Sequence, residues 1–159
     1  MPQRLIDSLL NKYGESHQNA TNKIIHWICV PSIMFSLMGL LYSIPFFGSA
    51  PSPLLNWASL LVGLTFIYYI RLSIPMFIGF VPIGLGLLYG NHYLAQASAS
   101  WGIAYGWLAF GIFFIAWIGQ FIGHKIEGAK PSFIEDLQFL LVGPAWLLHF
   151  IYKSVGIKY

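Results

Sequence analysis

The stretch from Leu54 to Gly90 constrains the fold most, because it is almost continuously apolar and carries a single charged residue, Arg71. One membrane span needs about 20 apolar residues, so this stretch is long enough for two. Ser73 and Pro75 follow the arginine. Serine is typical of a helix N-cap, and proline of the first helical turn. We therefore predict two apolar helices joined by a tight turn.

The composition indicates a membrane protein. The chain has 159 residues, of which 57% are hydrophobic and 8% charged, whereas soluble domains carry about 25% charged residues. Helices that are apolar on all sides lie in lipid or inside a bundle. The net charge of +3 is dispersed and forms no basic run for nucleic acid. We predict one all-α integral membrane domain over residues 1–159, a bundle of four or five transmembrane helices.

Apolar runs and helix breakers predict the individual elements. Residues 1–16 are expected to form a short amphipathic segment with Leu5, Ile6, Leu9 and Leu10 on one side. The membrane helices are predicted at about 24–44, 54–70, 73–90, 103–123 and 137–152. The segments 45–53 (PFFGSAPSP) and 91–102 (NHYLAQASASWG) are predicted loops. The last apolar run is short for a full span, so either a tilted or a re-entrant helix is expected there.

The placement of positive charges predicts the orientation in the membrane. Lysine and arginine are absent from the two predicted loops at 45–53 and 91–102 and occur in the other connections, at Arg4, Lys12, Lys23, Arg71, Lys125 and Lys130. The positive-inside rule then puts the N-terminus, Arg71 and the segment GHKIEG on the cytosolic side. His17, His26 and His124 are consequently expected at the same membrane face.

The segment HQNATNKIIH, residues 17–26, contains half of a candidate metal site. Asn22 precedes His26 by four residues and shares its helix face. His17 would lie on the opposite side of an unbroken helix, so the two histidines meet only if the helix begins between them. Asn19 or Thr21 as N-cap would allow this. The alternative is a set of interfacial polar residues without a ligand role.

The other half of the candidate site is the pair His124 and Glu127. A spacing of three residues lets one helix offer two ligands to one metal ion. Two histidines and a carboxylate with open positions are typical of non-haem iron(II). The alternative is a solvated helix end. His92 is expected on the opposite membrane face and outside the site, and the role of His149 in the last apolar run stays open.

Two motifs resemble a known membrane family. They are H-x4-N-x3-H-x4-P, from His17 to Pro31, and QFIGHKIEGAKPSFIEDLQFLLVGPAWLL, from Gln120 to Leu148. The family resembled is that of the fungal-type 2-hydroxy fatty acid dioxygenases, which are iron(II)-dependent enzymes of α-oxidation. The resemblance covers essentially the whole chain. Family members often have an acidic residue near the late apolar segment, where this chain has His149.

The resemblance implies that a 2-hydroxy fatty acid and molecular oxygen are the substrates, and that a fatty acid one carbon shorter is the product. It implies Fe(II) as cofactor, with His17, His26 and His124 as ligands. We add Glu127 as a candidate fourth ligand and Asn22 as a residue that orients an imidazole or contacts the substrate. The acyl tail would lie among apolar helices, near aromatic residues such as Trp27, Phe35, Trp117 and Phe121.

The expected location is the lipid bilayer of a bacterial inner membrane or of the endoplasmic reticulum, with the metal site facing the cytosol. Two other functions remain open. One is a different metal-dependent lipid enzyme, although a desaturase should contain more histidines than the five in this chain. The other is a non-enzymatic membrane scaffold or lipid-binding protein, in which each of the three site histidines could be replaced by alanine without loss of metal or function.

Overall fold

The computed structural model describes residues 4–15, 17–128 and 140–159. The described residues form six helices, which are α1 (Leu5–Glu15), α2 (Ala20–Tyr42), α3 (Trp57–Leu72), α4 (Ile74–Ser100), α5 (Tyr105–Glu127) and α6 (Val142–Ser154). No strand forms within these ranges, and the predicted all-α class is confirmed. Lys130 and residues 137–139 of the last predicted helix lie outside the described residues.

Among the described helices, three are long and apolar enough to cross a membrane, namely α2 with 23 residues, α4 with 27 and α5 with 23. At 1.5 Å per residue they are about 35 to 40 Å long, which exceeds a hydrocarbon core of about 30 Å. The apolar helix α3 has 16 residues and is about 24 Å long. The 13 residues of α6 span only about 20 Å, so this helix is too short to cross a bilayer by itself.

Capping residues separate the helices. Asn56 caps α3, so this helix begins at Trp57 rather than at the predicted residue 54. Ser73 ends α3 and also caps α4, with Pro75 in the first turn of α4. This single residue forms the tight turn that the sequence predicts. Gly128 ends α5 with φ of +78°, a left-handed conformation that glycine adopts without a steric penalty.

The prediction of a loop over residues 91–102 was wrong, because α4 continues to Ser100. The polar residues that suggested a loop are accommodated inside the helix. The Asn91 amide donates to Leu87 O at 2.7 Å, and the Ser98 hydroxyl donates to Ala95 O at 2.9 Å. Side chains bonded to their own helix in this way need no solvent and do not end the helix. His92 is therefore helical.

The short helices α1 and α6 pack against each other at one end of the bundle. Ile6, Leu10 and Tyr13 are the buried residues of the apolar face of α1, and the half-buried Leu9 packs against the same core. Leu5 is 68% exposed and does not belong to this face. Every residue from Val142 to Leu148 in α6 is buried. The amphipathic N-terminal segment therefore has a protein partner, and α6 forms part of the core.

Small residues bring α2 and α5 close together. A Cβ atom at Gly123 would collide with the side-chain oxygen of Asn22, and one at Gly119 would lie 2.5 Å from the sulfur of Cys29. Glycines four residues apart let two membrane helices approach closely. The contact fixes the first turns of α2 at the height of the last turns of α5. Cys29 is buried in this contact.

Candidate metal centre

Three histidines from different parts of the chain converge at the end of the α2–α5 contact. One ligand atom from each of His17, His26 and His124 lies within 4.8 Å of the others. The ring centroids are 4.2 Å apart for His17 and His26, 5.1 Å for His26 and His124, and 5.5 Å for His17 and His124. All three side chains are buried, with exposures of 2%, 1% and 5%. We refer to these residues as the histidine cluster.

A helix break brings His17 into the cluster. Helix α1 ends at Glu15, and α2 begins at Ala20 with Asn19 as its N-cap. The Asn19 side-chain oxygen accepts hydrogen bonds from Thr21 N at 2.8 Å and from Asn22 N at 3.3 Å. Because His17 lies in the connection, its ring can meet His26 instead of pointing to the opposite side of a continuous helix. Of the two caps that the sequence allows, the structure uses Asn19.

Backbone carbonyls orient two of the three imidazole rings. His17 Nδ1 lies 2.6 Å from Tyr13 O, and His26 Nδ1 lies 2.9 Å from Asn22 O. A carbonyl oxygen can only accept, so each Nδ1 carries the proton and donates it. In the neutral ring the lone pair is then on Nε2. Hydrogen bonds of this kind orient metal-binding histidines in many proteins.

Two aromatic side chains, those of Tyr13 and Trp146, pack against the His17 ring. The Tyr13 ring stacks on it with centroids 4.2 Å apart and planes 12° apart, and the Trp146 ring lies 5.3 Å away. Sequence analysis missed both residues. The spacing of four between Tyr13 and His17 is a signal for the first contact, whereas no local signal indicates Trp146 on α6.

The Glu127 carboxylate lies at the N-terminus of α2. It accepts hydrogen bonds from Gln18 N at 2.7 Å, from Asn19 N at 3.0 Å and from the Asn22 side-chain amide at 2.8 Å. A carboxylate is favoured at a helix N-terminus by the exposed N–H groups and the helix dipole. Among the described residues, the group of mutually close ligand atoms contains the three histidines and not Glu127.

Asn22 links the two halves of the site. Its side chain is fully buried and donates to Glu127, while its backbone carbonyl contacts the His26 ring. Glu127 is three residues from His124 on α5. The pair therefore ties the end of α5 to the beginning of α2 and holds His26 and His124 at a fixed separation.

The remaining two histidines lie outside the cluster. His92 on α4 has its Nδ1 atom 2.8 Å from the Tyr42 hydroxyl. On α6, the Nδ1 atom of His149 forms a hydrogen bond with the Tyr159 hydroxyl. Each ring thus has a polar partner that does not belong to the histidine cluster.

Two cavities adjoin this end of the bundle, and Pro144 contributes to the walls of both. The small cavity has a volume of about 30 Å³ and is lined by Tyr13, Val30, Ile33, Trp117, Gln120, Leu140, Gly143 and Pro144. The apolar groove has about 230 Å³ and is lined by Trp27, Pro31, Met34, Phe80, Ile83, Leu87, Pro144, Leu147, Leu148 and Ile151. It lies between α2, α4 and α6.

The four aromatic residues that we associated with an acyl tail occupy different places. Trp27 lines the apolar groove, and Trp117 lines the small cavity. The ring of Phe35 lies close to the backbone of Gly90 on α4. Phe121 is 37% exposed. Neither Phe35 nor Phe121 is among the lining residues of the two cavities.

Comparison with known proteins agrees with the resemblance in the sequence. The sequence profile of the family described as "2-hydroxy-palmitic acid dioxygenase Mpo1-like" matches residues 4–155. The "2-hydroxy-palmitic acid dioxygenase MPO1" of Saccharomyces cerevisiae is 29% identical over an alignment of 160 residues. The alignment covers 96% of this chain and 84% of the yeast protein. No solved structure gives a significant match. The chain belongs to the Mpo1-like family of 2-hydroxy-palmitic acid dioxygenases.

Proposed function

We propose that this protein is an iron(II)-dependent membrane dioxygenase that shortens 2-hydroxy fatty acids by one carbon. The observation that carries the proposal is the buried histidine cluster, whose ligand atoms lie within 4.8 Å of one another. Family membership supports the substrate class, because the name of the yeast relative specifies 2-hydroxy-palmitic acid. The three long apolar helices support a lipid environment for such a substrate.

The donor set of the cluster fits iron(II). Imidazole nitrogen suits iron, and zinc and copper as well, and the dioxygenase family favours iron among these metals. His17, His26 and His124 would hold the ion. Iron(II), when bound, would supply redox chemistry with oxygen and coordination positions for the substrate's carboxylate and 2-hydroxyl. The carbonyls of Tyr13 and Asn22 would keep the imidazoles in the tautomer that presents Nε2.

The proposed reaction breaks the bond between C1 and C2 of the 2-hydroxy acid. C2 is oxidised from the alcohol to the carboxyl level, and C1 leaves as carbon dioxide. These changes release four electrons, which reduce one molecule of oxygen. In the overall balance, one oxygen atom of O2 is added to the new carboxyl group or to carbon dioxide. The other oxygen atom forms water with the two remaining hydrogens. A C16 2-hydroxy acid and O2 thus give the C15 acid, carbon dioxide and water.

The acyl chain would lie in the apolar groove between α2, α4 and α6. Its wall residues are almost entirely apolar, and three of them, Trp27, Ile83 and Ile151, are also partly exposed on the outer surface, by 42%, 36% and 47%. In a membrane protein this outer surface faces lipid, so a chain can enter sideways from the bilayer. Pro144 lies in the walls of both cavities, so the groove adjoins the small cavity beside Tyr13.

We further propose that the histidine cluster faces the cytosol, in a bacterial inner membrane or in the endoplasmic reticulum. Lys12, Lys23 and Lys125 each lie within five residues of a cluster histidine in the sequence. The connection between α2 and α3 at the other end carries no lysine or arginine. This asymmetry is typical of a cytosolic placement of the positive end.

A product assay tests the proposed function. Protein purified in detergent would receive iron(II), oxygen and 2-hydroxypalmitic acid, and the C15 acid would be measured by mass spectrometry. We expect product from the parent protein and from the control His92→Ala, which removes a histidine outside the cluster. His124→Ala should form roughly a hundredfold less product, because loss of a metal ligand costs at least as much as loss of a residue that orients one. Bound iron without any C15 acid would overturn the substrate assignment and favour a different metal-dependent lipid enzyme. Absence of both metal and product would favour the scaffold function.

A further inference from the structure

Gln120 is a buried polar residue that the proposed chemistry does not yet use. It lies on α5 four residues before His124, so both side chains are on the same helix face. Its side chain is 4% exposed, and its Oε1 atom has no hydrogen-bond partner among the described residues. Buried side-chain oxygens are nearly always paired, because leaving water without a new partner is unfavourable. An unpaired one therefore calls for a ligand group that can donate.

The small cavity provides the space for such a group. Gln120 lines it together with Tyr13, whose ring stacks on His17. Most of the other lining residues are apolar, and Gln120 is one of the few residues in the wall with a polar side-chain group, besides Tyr13 and Trp117. The volume of about 30 Å³ is enough for a group of the size of a water molecule. A hydroxyl group fits this space.

We propose that Gln120 recognises the 2-hydroxyl group of the substrate, with Oε1 accepting a hydrogen bond from the substrate O–H. The inference rests on the proposed function and deepens it by naming a specificity residue. One helical turn, about 6 Å along the axis, separates Gln120 from His124. A substrate whose carboxylate lies at the histidine cluster has its C2 substituent adjacent to that carboxylate, and its tail would lie in the apolar groove, which adjoins the small cavity at Pro144.

This contact would select 2-hydroxy acids against ordinary fatty acids. An unsubstituted acid has no donor at C2 and would leave the buried Gln120 oxygen unpaired. A site built around a substrate hydroxyl discriminates strongly against an analogue without it, because the buried protein group then lacks its partner. Membranes contain ordinary acyl chains in large excess, so such discrimination would protect the site from occupation by them.

The test measures binding preference without turnover. The affinities of the iron-loaded protein for 2-hydroxypalmitic acid and for palmitic acid would be compared in detergent under anaerobic conditions. We expect Gln120→Met, which keeps the side-chain length but removes the acceptor, to lower the preference for the hydroxy acid about tenfold. The matched control is Gln96→Met, because Gln96 is an exposed residue of α4 that contacts His92. We expect no change in this control.

An unchanged preference in Gln120→Met, with normal iron content, would overturn the inference. If this variant does not fold, Gln120→Asn is the alternative, because it retains the amide on a side chain that is one methylene shorter. The amide oxygen would then lie farther from the substrate hydroxyl, and the same loss of preference is expected. A merely structural role of Gln120 would lower both affinities together and leave their ratio unchanged. The proposed function is tested by a different result, since it is contradicted if the parent protein forms no C15 acid. If the parent is active and both Gln120 variants keep the parent's ratio, only the inference about Gln120 fails.

Discussion

At the scale of single residues, the role of Glu127 depends on partners that are distant in the sequence. Its spacing from His124 suggested a fourth metal ligand, whereas its carboxylate accepts hydrogen bonds from Gln18, Asn19 and Asn22. Hydrogen bonds to a charged acceptor contribute about 1.5 to 3 kcal/mol each. We propose that Glu127 acts mainly by holding α2 against α5, which places His26 opposite His124.

A double-mutant cycle with Glu127→Ala and Asn22→Ala tests this positioning role. Each substitution is expected to lower the free energy of unfolding by about 2 kcal/mol and to weaken metal binding roughly 10- to 100-fold. The double variant should lose less than the sum, because both substitutions remove one common contact. Unfolding in detergent and metal competition would be measured. If Glu127→Ala abolished metal binding as completely as His26→Ala while the unfolding energies were additive, Glu127 would be a direct ligand.

At the scale of helices, the glycine contacts between α2 and α5 determine whether the site can form. Gly123 packs against Asn22 and Ile25 and leaves no room for a Cβ atom. A Cβ atom at Gly111, on the same helix, would meet no other atom within 4 Å. The two glycines therefore allow a comparison in which the substitution is identical and only the helix contact differs.

We expect Gly123→Ala to push α2 away from α5 and to destabilise the protein by about 1 to 3 kcal/mol, the usual cost of overpacking a core. Metal binding should weaken with it, because His26 and His124 move apart. Gly111→Ala should keep the metal and stay neutral or gain up to about 1 kcal/mol, since alanine favours helix more than glycine does. Thermal unfolding and metal content in detergent measure both effects. Equal behaviour of the two variants would contradict a special role for the contact at Gly123.

At the scale of the whole molecule, the direction of the helices separates the two ends of the bundle. Helix α2 runs from the histidine cluster toward the connection that contains Phe47, and α5 runs back toward Lys125. If both helices cross a membrane, Phe47 and Lys125 lie on opposite sides. Phe47 is 79% exposed, and Lys125 is also exposed, so both positions are suitable for chemical labelling.

We expect a membrane-impermeant thiol reagent to label Lys125→Cys only from the cytosolic side and Phe47→Cys only from the other side. The reason is the excess of lysine and arginine at the end that contains Lys125. Vesicles of both orientations would be labelled, with the parent protein as control because its Cys29 is buried. Labelling of Phe47→Cys from the cytosolic side alone would reverse the proposed orientation. Labelling of both variants from one side would contradict the crossing of α2 and α5.

The local pattern of the sequence was sufficient for several features of this protein. Uninterrupted apolar runs predicted the helical membrane class, and the cap at Ser73 followed from a side chain that binds its own backbone neighbours. For α2 the pattern left Asn19 and Thr21 as alternative caps, of which the structure uses Asn19. The local pattern was insufficient for the polar stretch from residue 91 to residue 100, which is helical although a loop was predicted. Asn91 and Ser98 bond to carbonyls of their own helix, and their burial depends on neighbouring helices that a local pattern does not describe.

The sequence by itself determined the helical class, the candidate caps Asn19 and Thr21 between His17 and His26, and the three histidines that topology places at one end. These features depend on hydropathy and on contacts between residues a few positions apart. Only the tertiary structure decided that Glu127 accepts hydrogen bonds from the residues just before α2, that α1 packs against α6, and that Gln120 lines a small cavity beside Tyr13. Those features depend on which helix faces meet, and this is set by the packing of small residues such as Gly119 and Gly123 across the bundle.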